Sequence, residues 1–197
     1  MTTQTVAKRR MFSTVDLLTM AVIAVVAALL NSYVWFAVMN LATPLFAFLG
    51  PVGWIGASGV YMIAPVLVGL LIGRMGATTI YGVIQGFLEM LLGNPAGALS
   101  IVYAGVQGFC TDIALAIFGY KPTLPAALLG GAVGTLVVDV IYLFVFGLAT
   151  VSNLIVGGIT AIISGAVFGG LIAWLLVLAL QRTGVVSRIG LKGYQEI

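Results

Sequence analysis

Glu89, Asp112 and Asp139 stand inside stretches of sequence that are otherwise uncharged and mostly apolar. Held in a bilayer, an ionised side chain costs at least about 2.5 to 3.5 kcal/mol at mid-depth on insertion scales, so each of these acids has to face a bundle interior or a wet cavity. Two roles are open to each: contact with a polar or cationic ligand, or a hydrogen bond that joins neighbouring helices. Gln85 and Glu89 are four residues apart and share a helical face, as do Tyr103 and Gln107, and Tyr142 lies one turn beyond Asp139. Asn94 sits in a turn between them, and Trp35, Trp54 and Tyr61 fall near the same end of the expected helices. Carboxylates, amides and flat rings together suit a planar, hydrogen-bonding or cationic organic solute, because rings stack on it and cation-π attraction adds to carboxylate attraction. Trp and Tyr also collect at membrane interfaces whatever the ligand, so each ring has that second reading.

Much chemistry is excluded by composition. The chain has no histidine and a single cysteine, Cys110, so His-based proton relays, bis-His haem, His-ligated zinc, thiolate clusters and an intrachain disulfide are all impossible. No cofactor and no metal site is expected, and Cys110 reads as a small packing residue. A Ser-His-Asp hydrolase is ruled out, and no signature brings two acids together for an aspartyl mechanism. No Gly-x-x-x-x-Gly-Lys-Ser/Thr occurs, so ATP-driven work would need a partner. The residues therefore point to a binding or transport protein rather than an enzyme. The net charge of +3 carries no basic stripe with interleaved aromatics, which argues against nucleic acid.

Membrane helices must position these groups. The 197 residues are 62% apolar and 7% charged, a composition of bilayer-resident chains. A hydrocarbon core of about 30 Å needs roughly 20 apolar residues per span. The uncharged run from Leu17 to Gly73 is interrupted by Pro44, Gly50, Pro51 and Gly53; Gly93-Asn94-Pro95-Ala96-Gly97 divides the next block, and Thr150-Val151-Ser152-Asn153 the last. Six spans follow, near 15–38, 53–73, 77–92, 98–119, 123–148 and 154–181, flanked by cytoplasmic segments 1–14 and 182–197. The fold class expected is an all-α integral membrane protein with both ends inside. Lys8, Arg9 and Arg10 precede the first span, Arg74 and Lys121 fall in alternate loops, and Arg182, Arg188 and Lys192 follow the last, so every base is on one side, the cytoplasmic one by the positive-inside rule. Lys8-Arg9-Arg10 looks like the start of a signal peptide, but the apolar run after it is too long, and it reads as a retained first span in the cell membrane. Helical rise puts Glu89 about 18 Å and Asp139 about 24 Å above the cytoplasmic boundary, in the outer half; the depth of Asp112 depends on where the fourth span starts.

Small residues recur at four-residue spacing, among them Gly82 and Gly86, Gly130 and Gly134, and the series Ala161, Gly165, Gly169, Ala173, which permit close helix approach. Ala21, Ala24 and Ala28 form a smooth face on the first span that could dock another membrane subunit.

The run Glu89-Met90-Leu91-Leu92-Gly93-Asn94-Pro95-Ala96-Gly97, with Gln107-Gly108 and an acid four residues further on at Asp112, resembles the substrate-binding S components of energy-coupling factor (ECF) vitamin transporters, in particular their YkoE-like group. The likeness spans about 15–181, with Asp112 where that pattern has Glu, a change that keeps the charge and shortens the reach. The resemblance implies a six-helix S-component bundle and uptake of thiamine or its hydroxymethylpyrimidine precursor, driven by a T subunit and two ATPase subunits. It implies that the Ala24 to Ala28 motif, with Ala21 alongside, packs on the T subunit. In the site it implies that Gln107 and Asn94 meet an aminopyrimidine, and that Glu89 or Asp112 neutralises a thiazolium ring stacked on Trp or Tyr. Another flat vitamin, a non-transporting assembly subunit and a stand-alone carrier remain as alternatives, although the three hairpins show no clear internal repeat of the kind a carrier would have.

Overall fold

The computed structural model describes residues 12–184 and 186; Lys8, Arg9, Arg10, Arg188 and Lys192 lie outside them. The described residues form six helical rods: α1 (Thr14–Pro44), α2 (Pro51–Ile72), α3 (Ala77–Leu91), α4 (Leu99–Ile117), α5 (Leu124–Val145) and α6 (Val151–Arg182). Five are long and apolar enough to cross a membrane. The exception, α3, has 15 residues, about 22 Å of helix against a core of about 30 Å.

Local chemistry sets the ends. Ser13 and Asp16 form a reciprocal cap at the start of α1, each side chain bonding the other's backbone N–H, at 3.1 and 2.9 Å. Asp16 also pairs with Arg74 at 3.3 Å, which puts the start of α1 and the α2–α3 turn at the same end of the bundle. Helix continues through Pro44 to Phe46, so the chain reverses at 47–50 rather than at the proline. Pro44 removes one amide donor two residues before the helix ends, so only the last turn is affected. Thr150 caps α6, its hydroxyl accepting from the Asn153 amide at 3.2 Å, and that helix therefore begins three residues earlier than the sequence suggested. At the far end of α3, Gly93 takes φ of +77° and the Asn94 and Gly93 amides bond the Glu89 and Met90 carbonyls, a Schellman ending that only a left-handed residue closes.

Three rods change pitch part-way. α1 widens to a π-helix over Leu30–Trp35, α6 over Gly165–Leu171, and α2 tightens to a 3-10 turn over Gly59–Met62. Backbone disturbed at membrane depth has to be satisfied by protein. Ser164 meets that need in α2: its hydroxyl accepts from the Gly59 amide at 3.0 Å and donates to the Gly56 carbonyl at 2.9 Å.

Glycines set the closest crossings. A methyl group on Gly82, Gly86 or Gly108 would strike the facing backbone of the α3–α4 pair, and one on Gly131, Gly165 or Gly170 that of α5 and α6. Two of the three apolar core clusters fill the half of the bundle near Arg74 and Lys121, and the third, Ile55, Leu143 and Ala161, lies beside the opposite end. One cluster joins Val66, Leu70, Leu115, Ala126 and Val177, and a second joins Met20, Ala24, Val68, Ile72 and Tyr81. Large apolar side chains such as Leu41 and Ile117 project outward, as a lipid-facing surface requires.

Candidate functional site

The opposite half of the bundle holds a cavity of about 420 Å³. α1 contributes Asn31 and Phe36, α2 Trp54, Ile55, Ser58 and Tyr61, and α3 Gln85 and Glu89. Ser100, Tyr103, Ala104 and Gln107 of α4 form another wall; α5 adds Thr135, Val138, Asp139 and Tyr142, with Phe146 just past its end. The 94–96 turn closes the rim. No Lys or Arg is among the lining residues, so the wall offers two carboxylates, amides, hydroxyls and rings.

Glu89 is buried and held from two helices. Asn31 Nδ2 donates to its Oε1 at 2.9 Å and Gln85 Nε2 to the same oxygen at 2.8 Å. Asn31 and Ser32 are both buried in the π-helical turn of α1. Glu89 Oε2 accepts no hydrogen bond among the described residues and remains available to a ligand. Asp139 Oδ2 lies 2.6 Å from the Ser58 hydroxyl, which is also 2.8 Å from the Ile55 carbonyl; its one proton serves one of the two at a time. Asn94 Oδ1 accepts from the Ala96 amide at 3.0 Å and so shapes the rim turn. The arrangement can bind a flat solute that is cationic or rich in donors.

Residues 15–137 match the family model described as "ABC-type cobalt transport system, permease component". A curated relative, the "Putative HMP/thiamine permease protein YkoE" of Bacillus subtilis (strain 168), is 31% identical over 180 residues, 89% of this chain and 88% of that one. A solved structure described as "Crystal structure of an S-component of ECF transporter" superposes with a TM-score of 0.79 at 29% identity, covering 92% of this chain and 91% of the other. The chain belongs to the family of ECF transporter S components. It is a multi-pass protein of the cytoplasmic membrane and a transporter subunit, not an enzyme.

Of the residues that the sequence nominated, the S component gathers Trp54, Tyr61, Glu89, Asn94, Tyr103, Gln107, Asp139 and Tyr142 around the one cavity. Trp35 stands behind it, edge-on to Tyr61 with ring centres 6.2 Å apart. Asp112 is elsewhere. Because α4 starts at Leu99, Asp112 lies near the Arg74 end, where it accepts from the Thr79 amide at 2.9 Å, the Thr78 amide at 3.4 Å and the Thr79 hydroxyl. α3 begins at Gly76, which has no side chain to cap the first amides, and Asp112 of α4 supplies that cap. Tyr120, in the turn after α4, donates to the Asp112 carbonyl at 3.1 Å; burial first, and Asp112 second, push its phenol up to about 12. Asp112→Ala is expected to lower stability by about 1 to 2 kcal/mol and leave ligand affinity unchanged, read by thermal unfolding and calorimetry on one preparation. Lost affinity in a folded variant would return Asp112 to the site.

The alanine face also has another use. Ala24 and Ala28 have no exposure and Ala21 is partly buried: the stripe packs inside the S component, with Ala24 against Val68, Ala77 and Tyr81. The outward face of α1 is instead Val22, Val25, Val26 and Leu29. Asn31, Ser58, Ser100 and Thr135 are the polar cavity residues that the sequence reading passed over. An isolated amide within an uncharged run was a usable signal for Asn31; hydroxyls, which can bond their own helix, give little signal.

Proposed function

We propose that this S component binds thiamine or its hydroxymethylpyrimidine precursor from outside the cell and delivers it inward together with a T subunit and two ATPase subunits. The observation that carries the reading is Glu89, buried and clamped by Asn31 and Gln85 on one oxygen with the other free, in a cavity walled by Phe36, Trp54, Tyr61, Tyr103 and Tyr142. A thiazolium or aminopyrimidine group satisfies a carboxylate and stacks on rings at once. The similarity to a protein named as an HMP/thiamine permease supports the same reading. Cobalt as cargo is disfavoured by the donors: the chain has no histidine, and among the described residues no three His, Cys, Asp or Glu side chains gather as a metal site. Since the sequence holds no P-loop, energy comes from the partners.

The orientation proposed is six spans with both ends inside, because Arg74 and Lys121 then share the cytoplasmic face with Asp112 and the Asp16–Arg74 pair while the cavity opens outward. Cysteine introduced beside Arg74 or Lys121 is expected to resist membrane-impermeant labelling of intact cells and to react in inverted vesicles; labelling from outside sinks the layout. For the ligand, titration calorimetry of the purified protein against thiamine, hydroxymethylpyrimidine, riboflavin, biotin and Co²⁺ is expected to give tight binding only for the first two. Binding of Co²⁺ or another vitamin with neither pyrimidine compound bound would overturn the assignment.

A further inference from the structure

The wall that α4 presents to the cavity differs from the acidic ones. Ser100, Tyr103 and Gln107 follow one another at three- and four-residue spacing, so they share a face of α4, and all three line the cavity. Ser100 is 2% exposed, yet its Oγ has no hydrogen-bond partner, and neither has the buried Tyr103 Oη. Other hydroxyls in these helices bond the carbonyl four residues back, at 2.8 Å in each case: Thr111 to Gln107, Thr135 to Gly131, Thr160 to Val156. Buried polar atoms without partners among the described residues also include Ser32 Oγ, Trp35 Nε1 and Tyr81 Oη, but none of those belongs to the cavity wall. Native proteins rarely leave a buried hydroxyl unmet, and these two belong to side chains that line the cavity, where a ligand can supply the partner.

A hydroxyl can donate as well as accept, whereas the carboxylates of α3 and α5 serve a cationic or amine group, and the Asn31 and Gln85 amides each give one N–H to Glu89. Ser100 and Tyr103, both on α4, are the lining residues whose buried hydroxyls have no partner among the described residues. We propose that Ser100 and Tyr103 are specificity residues, each donating to an unprotonated ring nitrogen of the ligand, while the carboxylates of α3 and α5 take its amine or cationic group. The S component then selects a heteroaromatic ring in which an acceptor nitrogen stands beside an exocyclic amine, over a cation of equal size that lacks the nitrogen. This rests on the pyrimidine reading above and sharpens it.

The test compares hydroxymethylpyrimidine with its aminobenzyl alcohol counterpart, in which CH replaces each ring nitrogen, against the unaltered protein, Ser100→Ala and Tyr103→Phe, by titration calorimetry in detergent. The unaltered protein is expected to prefer the pyrimidine, and each variant to bind the pyrimidine about tenfold more weakly while its affinity for the carbocycle is unchanged. Thermal unfolding without ligand should find Ser100→Ala at least as stable as the parent, because an unmet hydroxyl has been removed. Equal losses on both compounds, or wild-type discrimination in both variants, overturn the inference and leave the pyrimidine reading standing. If the unaltered protein binds neither the pyrimidine nor thiamine, that reading fails and the inference with it.

Discussion

Replacing Glu89 with Gln is expected to weaken thiamine binding by about a hundredfold while the protein stays folded. The substitution conserves size, and the Asn31 and Gln85 amides that now reach Oε1 at 2.9 and 2.8 Å can still find a carbonyl oxygen there. What changes is the other atom, which turns from a charged acceptor into an NH2 donor aimed at a cation. A hydrogen bond to a charged group is worth about 1.5 to 3 kcal/mol, or roughly ten- to a hundredfold in affinity, and the reversed dipole places the loss at the upper end. Calorimetry on the purified variant, with thermal unfolding to confirm the fold, decides it. An affinity within about threefold of the parent would remove Glu89 from the ligand and leave it as a helix bridge between α1 and α3.

The expense of charge in lipid singled out three acids in the sequence; two of them line the cavity and the third, Asp112, does not. Simple helical rise sets Glu89 and Asp139 far from the Arg74 and Lys121 ends of their helices, and both line the cavity. The depth of Asp112 hung on the start of α4, which periodicity does not define. The missing clue was at Gly76-Ala77-Thr78-Thr79, a helix start with no capping side chain of its own, which calls for an acceptor from elsewhere. The alanine stripe shows a different limit. Small residues announce close approach but not what approaches, because in lipid no hydrophobic preference distinguishes a partner subunit from the chain's own α3. The π-helical turns at Leu30–Trp35 and Gly165–Leu171 had no signature at all, since they follow from packing between helices rather than from local propensity.

Gly131→Ala is expected to destabilise the protein by about 3 kcal/mol or more, the upper end of overpacking, although alanine is the better helix former by about 1 kcal/mol. The first atoms that its Cβ would meet are the Gly165 carbonyl oxygen and the Gly170 amide nitrogen, both closer than 3.0 Å and both backbone, so no rotamer can move aside and α5 and α6 have to part. That crossing lies under the cavity: Thr135, one turn above, bonds the Gly131 carbonyl at 2.8 Å and lines the wall next to Asp139. Gly82, Gly86 and Gly108 bring α3 against α4 in the same way, so Glu89 stands on one closely packed helix pair and Asp139 on the other. Parting α5 from α6 should therefore also weaken ligand binding, by shifting Asp139 relative to Glu89. Gly158→Ala on α6 is the control, because its Cβ would touch only Leu136 Cδ1 at 3.5 Å, an ordinary contact, and it is expected to be neutral or slightly stabilising. Thermal and denaturant unfolding of the two variants in one detergent make the comparison, and a Gly131→Ala protein as stable as Gly158→Ala would mean that the α5–α6 crossing is looser than its backbone contacts describe.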